Sequence, residues 1–410
     1  MIPLRIKKIV TACLFFAFIF YSAWANIKEN HEVILNHVEA FFNQTEDEVD
    51  ELPNFVNDMS ALLNDQVSDR YLYVEGYGYI QKLLLKHEVS NFSSVRDDEG
   101  NMHYTYFTTG PNETIELASR MGRLNSVAKD LGAEVIYLMT PDKFEVGVTN
   151  FDTGIPYNYA NETADQFLSY LDDFQITYID YRSLMKEQNI SIADSFYKTD
   201  HHWKTDVTFW AFTQLVNELE ERYGFEFNNK EITTDLTNYN QIVYEDAYLG
   251  SMGRSVGQLY TGIDDFTLIY PKFETNFHVY EQSSTLDITR QGRFEESLLN
   301  TSILRSGKNK YDPTSDKFFT YMDGNPGIVQ VTNLQDDSEE MPKVLFIKDS
   351  MIVPVASFLS VGTQQTTMVD PRYYGGSIEE IIEDGDYDYI FVTYTPQNLT
   401  EEFFPFYRSE

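Results

Sequence analysis

Lys343-Val344-Leu345-Phe346-Ile347-Lys348-Asp349-Ser350-Met351 reads as a short apolar run that stops at an acidic residue and a serine. A run of this length, β-branched and aromatic, is the pattern of a strand buried on both faces. Two further runs share it, Val135-Ile136-Tyr137-Leu138-Met139 and Tyr387-Asp388-Tyr389-Ile390-Phe391-Val392-Thr393. Shorter strand candidates are Ile176-Thr177-Tyr178-Ile179-Asp180 and Thr366-Thr367-Met368-Val369. Helical spacing fills the intervals at 114–131, 164–173, 206–223 and 377–383, with Gly132 and Gly224 placed to end two of these helices. The alternation predicts an α/β fold, with a mostly parallel sheet covered on both faces. In such sheets ligands gather beyond the carboxyl ends of strands. Ser350, Asp370-Pro371-Arg372 and Tyr394-Thr395-Pro396-Gln397-Asn398 all follow such ends.

The second informative stretch is Tyr197-Lys198-Thr199-Asp200-His201-His202-Trp203-Lys204, which places two of the seven histidines beside a carboxylate. Phe196, Tyr197 and Trp203 enclose these groups, a setting that desolvates and tunes ionisable side chains. A nucleophilic serine needs a base, and the base needs an acid that holds its tautomer. Ser350, His202 and Asp200 supply those three parts. Asp200, His201 and His202 are also metal-ligand types, but adjacent histidines on one turn point in different directions and there is no thiolate beside them. Leu249-Gly250-Ser251-Met252-Gly253-Arg254 is glycine-punctuated and reads as an ordinary turn. There is no nucleotide-binding glycine fingerprint, and the sequence implies no diffusible cofactor.

Arg5, Lys7 and Lys8 precede the apolar run from Ile9 to Tyr21, and Ala23-Trp24-Ala25 follows it, which is the layout of a secretory signal or a retained anchor in residues 1–25. The expected location is extracytoplasmic, secreted or held at the outer face of the cell membrane. Cys13 is the only cysteine, so the region beyond residue 25 has neither a disulfide nor a thiol nucleophile. Net charge is −35, and −38 without residues 1–25, which hold three basic and no acidic residues. Nucleic acid is therefore excluded as a natural partner. Residues 26–110 read as a helical entry segment, its first part (27–70) as a solvated stalk with apolar positions at Val33, Leu35, Val38, Phe41 and Phe42. Asp97-Asp98-Glu99-Gly100-Asn101 marks a turn between strands. Residues 111–410 read as the main domain, with a β-rich insertion at about 226–342. Aromatic residues make up 15% of the chain, a content that suits both packed cores and sugar-binding surfaces.

Asp200-His201-His202-Trp203 resembles the signature of the bacterial DHHW family. Gly257-Gln258-Leu259-Tyr260-Thr261-Gly262-Ile263-Asp264-Asp265-Phe266 and Pro271-Lys272-Phe273-Glu274-Thr275 resemble further segments of it. Its members are similar to the exported alginate O-acetyltransferases of the AlgX and AlgJ type, whose catalytic domain is a permuted relative of the SGNH hydrolases. The resemblance implies a flavodoxin-like, three-layer α/β/α domain. It also implies catalytic roles for Asp200, His202 and Ser350, with Lys348-Asp349-Ser350 in place of a Gly-Asp-Ser block. One residue separates Asp200 from His202, as in the acetyltransferase branch; the hydrolases more often have two. An oxyanion-hole asparagine is expected after the serine, at Asn398. Arg372, Tyr373 and His201 are candidates for contact with an acyl group or sugar, and a structural ion pair is the alternative for Arg372. The implied function is O-acetyl transfer through an acetyl-serine to a polysaccharide acceptor, with a membrane-bound O-acyltransferase as the partner relaying acetyl. Two alternatives share the same residues: a carbohydrate acetylesterase and a non-catalytic glycan-binding or assembly protein.

Overall fold

A computed structural model describes residues 4–44, 55–60, 67, 69–225, 227, 229–283, 287–305, 315–336 and 338–408. The chain divides into two compact units, Met1–Tyr77 and Gly78–Glu410. In the first, one helix, Leu4–Gln44, takes in the whole apolar run and Val33, Leu35, Val38 and Phe41. It is long and apolar enough to cross a membrane, with mean hydropathy 1.7 over its most apolar stretch and none of that stretch buried. Of the expected stalk at 27–70, residues 45–54, 61–66 and 68 lie outside the described residues.

The second unit opens with a small antiparallel sheet of β1 (Glu88–Val89), β2 (Ser94–Arg96) and β3 (Met102–Tyr104), the last two joined by the acidic turn at 97–101. The following strands are β4 (Glu134–Met139), β5 (Thr177–Asp180), β6 (Tyr239–Tyr248), β7 (Asp264–Pro271), β8 (Phe277–Gln282), β9 (Asp287–Gly292), β10 (Ile328–Asn333), β11 (Lys343–Lys348), β12 (Gln365–Val369) and β13 (Tyr389–Tyr394). Eight of them form one sheet in the order β5-β4-β13-β11-β12-β10-β8-β9. The first five are parallel to one another. From β12 outward the pairing is antiparallel.

The insertion is therefore only partly separate. Its strands β6 and β7 form their own hairpin, whereas β8, β9 and β10 extend the main sheet. Without β10 the outer edge of β12 would present unpaired backbone groups, a liability that added strands remove.

The strand side chains alternate between two cores. Ile136, Leu138, Val344, Phe346 and Phe391 face a core shared with the helices Thr205–Tyr223 and Val353–Leu359. Val135, Tyr137, Leu345, Ile347, Ile390 and Val392 face the other, built with Ile115–Leu131 and Ala160–Asp173. This is the expected three-layer α/β/α arrangement. Two helices stop as the sequence indicates, at Gly132 (φ 86°) and Gly224 (φ 65°), where the left-handed conformation closes off the last carbonyls.

Phe358, on the short helix following Ser350, is a hub of the first core. Its ring lies 5.2 Å from Phe209, 5.7 Å from Tyr321 and 6.1 Å from Phe294, the last stacked at 8°. Much of the chain's aromatic content thus serves packing. Phe358→Ala is expected to lower the unfolding free energy in urea by about 3–5 kcal/mol, because the surrounding rings belong to separate elements and cannot close the cavity together.

Candidate active site

Asp200, His201 and His202 sit on a tight turn whose ends are tied by the Phe196↔Trp203 bridge and by the Tyr197 N–H donating to the His202 carbonyl at 3.2 Å. Ser350 begins a 3-10 turn directly beyond β11. The two segments, 148 residues apart, meet at His202 Nε2 and Ser350 Oγ, 2.8 Å from each other. On its other side the imidazole Nδ1 lies 2.5 Å from Asp200 Oδ1. The three residues read from the sequence as nucleophile, base and orienting acid are thus in one hydrogen-bonded line, with Asp200 and His202 buried and Ser350 half-buried.

The Asp200 carboxylate is 0% exposed and needs every bond it has. Oδ1 also accepts the His202 N–H at 2.9 Å, and Oδ2 accepts the Ser251 N–H at 2.5 Å. Burial alone would raise its pKa, but the pairing with the His202 imidazole and these hydrogen bonds hold it well below the ordinary value of 3.8. An ionised Asp200 fixes the proton of His202 on Nδ1 and leaves Nε2 as the acceptor facing Ser350.

The imidazole plane is set by two rings. His201 lies 3.9 Å from it on one face and Phe318 3.8 Å on the other, the latter stacked at 14°. Phe318 is held in turn by Asp316, which caps its 3-10 turn and receives Arg254 Nη2 at 2.8 Å and the Tyr248 hydroxyl at 2.9 Å. Trp203 is fully buried and donates from Nε1 to the Met351 carbonyl at 2.8 Å, so the last residue of the motif ties its turn to the turn that begins at Ser350.

The 249–254 stretch is not the ordinary turn its sequence suggests. It opens the helix Ser251–Val256, whose first N–H is the donor to Asp200. A Cβ on Gly250 would stand 2.3 Å from the Asp200 Cβ, so only glycine permits this approach. Asp264, in the segment that resembles the DHHW family, accepts the Lys198 N–H at 2.8 Å, the Thr199 N–H at 2.9 Å and the Thr199 hydroxyl at 2.6 Å. Neither contact has a sequence signal beyond the glycine spacing and that resemblance.

The remaining candidates take different places. His201 Nδ1 lies 3.2 Å from Ser251 Oγ, its side chain is 37% exposed, and desolvation pushes its pKa down, leaving a neutral ring at the rim. Asn398 Nδ2 donates to Asp349 Oδ2 at 2.9 Å, which places it behind the residue preceding Ser350. Asp349 also accepts the Met351 and Thr395 N–H groups, joining the serine turn to the loop after β13. Arg372 takes the structural alternative, a two-point ion pair with Asp370 at 3.0 and 2.7 Å over the rings of Tyr373 and Phe403. Tyr373 itself is exposed. Lys348, where the family pattern has glycine, is buried against Asn325 and Asp370; desolvation lowers it to about 8, opposed by Asp370 and Asp349.

The family model described as SGNH hydrolase-like domain, acetyltransferase AlgX, matches residues 105–241. Residues 105–241 are thus similar to an SGNH hydrolase-like domain. PatB1 from Bacillus cereus has the same fold at a TM-score of 0.62, with 19% identity over 76% of this chain and 99% of that one. Its structure with a sulfonyl adduct gives 0.61 and 18% over 76% and 97%. A DHHW family protein from Eubacterium siraeum aligns at 0.53, with 14% identity over 77% of this chain and 98% of that one. No curated protein matches the chain.

Two measurements test the geometry independently of any activity. Gly250→Ala is expected to destabilise the protein by roughly 1–3 kcal/mol, because backbone and carboxylate must separate. Asp200 has a folded pKa below its ordinary one, so its contribution to stability is complete above about 3.8 and is lost as pH falls through the folded value. Asp200→Asn is therefore expected to cost roughly 2 kcal/mol in urea unfolding at pH 7 and less at pH 3. An equal cost at both pH values would contradict the depressed carboxylate.

Proposed function

We propose that the protein is an extracytoplasmic O-acetyltransferase that moves an acetyl group through an acetyl-Ser350 intermediate onto hydroxyls of a polysaccharide. The observation that carries this reading is the unbroken line Asp200–His202–Ser350, with bonds of 2.5 and 2.8 Å, whose first two residues lie within the stretch 105–241 that matches an acetyltransferase family model. In the first half-reaction Ser350 Oγ attacks the acetyl carbonyl while His202 Nε2 takes the hydroxyl proton. The imidazolium so formed keeps its Nδ1–H on Asp200 and returns the Nε2 proton to the leaving group. In the second, a sugar hydroxyl gives its proton to Nε2 and attacks the acetyl-serine, and the proton passes back to Ser350 Oγ as the ester leaves.

The oxyanion of each tetrahedral intermediate needs fixed donors. The Met351 N–H is taken by Asp349, so we assign this role to the Ser350 N–H, while Asn398, held by Asp349, supports the turn from behind. The long apolar helix is the segment that would keep the domain at the membrane's outer face, where a membrane-bound O-acyltransferase would supply acetyl. Acetyl-ester hydrolysis is the same chemistry with water as acceptor.

Full-length wild type, Ser350→Ala and His202→Ala should be compared on an aryl acetate, with and without neutral oligosaccharides. Both variants are expected to lose at least about a thousandfold in rate, as groups that act as a unit do. Acetylated oligosaccharide formed only by wild type supports transfer, and acetate release unaffected by any acceptor supports the esterase. Equal background rates in all three folded proteins would refute an acyl site. Because PatB1 is described with a sulfonyl adduct, an aryl sulfonyl fluoride is a second probe. Labelling is expected on Ser350 and is expected to abolish turnover.

A further inference from the structure

Lys143 lies on the loop after β4, within Thr140-Pro141-Asp142-Lys143, and is 5% exposed. Its Nζ donates to three carbonyls, those of Tyr197 at 2.6 Å, Lys198 at 3.0 Å and Asp200 at 3.0 Å. An ammonium has three hydrogens, so its whole capacity is directed at the turn that carries Asp200 and His202. A buried charge is tolerated only where its donors are met, and here they are.

Asp264 does the converse from the far side. It accepts the two N–H groups of Lys198 and Thr199, while Lys143 donates to the carbonyls of Tyr197, Lys198 and Asp200 in the same turn. The turn is gripped by a cation at its acceptors and by an anion at its donors. Thr199 completes the grip, its hydroxyl accepting the Gly250 N–H at 2.8 Å and its carbonyl the Gly253 N–H at 2.9 Å. No hydrogen bond of Lys143 goes to Ser350 or to the His202 ring.

We propose that Lys143 is a positioning residue for the acyl-transfer site: by fixing the carbonyls of Tyr197, Lys198 and Asp200 it sets the place of the Asp200 carboxylate and, through it, the aim of His202 at Ser350. This rests on the acyl-transfer reading of the triad. Burial lowers the Lys143 pKa to about 8, opposed by Asp264, Asp200, Asp97 and Asp142, so the ammonium is the main form at neutral pH. Methionine at this position keeps the reach and removes all three donors. Arginine keeps the charge, but its planar fork cannot direct hydrogens from one nitrogen to three carbonyls.

The test uses the full-length protein as wild type, Lys143→Met and Lys143→Arg, with two readouts. The first is aryl acetate hydrolysis. The second is the low-field proton resonance of the His202 Nδ1–H on Asp200, assigned by its loss in His202→Ala. Lys143→Met is expected to lose roughly tenfold to a hundredfold in kcat, the effect of a misplaced catalytic group. Its KM should stay within about twofold, since uniform binding is untouched. Its low-field resonance should move or broaden, and Lys143→Arg should recover part of both readouts. Wild-type kcat with an unmoved resonance in a folded Lys143→Met would overturn the proposal. If that variant does not fold, Lys143→Gln carries the same comparison with the same overturning result. Should Ser350→Ala show that the hydrolysis is not Ser350's own, the acyl-transfer reading fails while the resonance still reports whether Lys143 sets the imidazole.

Discussion

One buried carboxylate constrains this molecule more than any other group. Asp200 is shut off from water and can stay ionised only while the His202 imidazole, the His202 N–H and the Ser251 N–H all point at it. That requirement reaches far along the chain. It asks for glycine at 250, for a helix beginning at Ser251, and for a turn held rigid by Lys143 and Asp264. The insertion between the Asp200–His202 turn and Ser350 is thus part of the site's foundation: β7 begins with Asp264, and the 3-10 turn at 317–320 brings Phe318 onto the imidazole.

The parallel half of the fold is legible because burial on both faces leaves a continuous apolar run, as in Val344–Ile347, and because Gly132 and Gly224 mark helix ends without reference to anything distant. Asp200, His202 and Ser350 are legible for a different reason: nucleophile, base and acid are few residue types, and their sequence context resembles a known family. The supporting contacts are silent because they depend on tertiary approach. Gly250 and Gly253 look like turn glycines until Asp200 and Thr199 are placed beside them. Lys143 looks like a surface lysine, and only the fold shows its ammonium enclosed by three carbonyls. Strands β8 to β10 alternate in a way that marks them as strands, but nothing local says which sheet they join.

The motif Asp200-His201-His202-Trp203 acquires a physical reading residue by residue. Asp200 orients and charges the site, His202 faces the serine, and Trp203 fastens the turn to the Met351 carbonyl. His201 packs against the His202 imidazole and is itself kept neutral by its surroundings, so it adds no charge beside that ring. Arg372, by contrast, serves Asp370 and the packing of the loop after β12.

The most direct test of the account is intact and peptide mass spectrometry of the full-length protein, mixed with an aryl acetate and quenched in acid within the first turnover. One acetyl group on the peptide containing Ser350, absent when Ser350→Ala is treated in the same way, is the result the account expects. Acetate release at the wild-type rate with no acetyl on Ser350, or an acetyl group carried equally by Ser350→Ala, would contradict it.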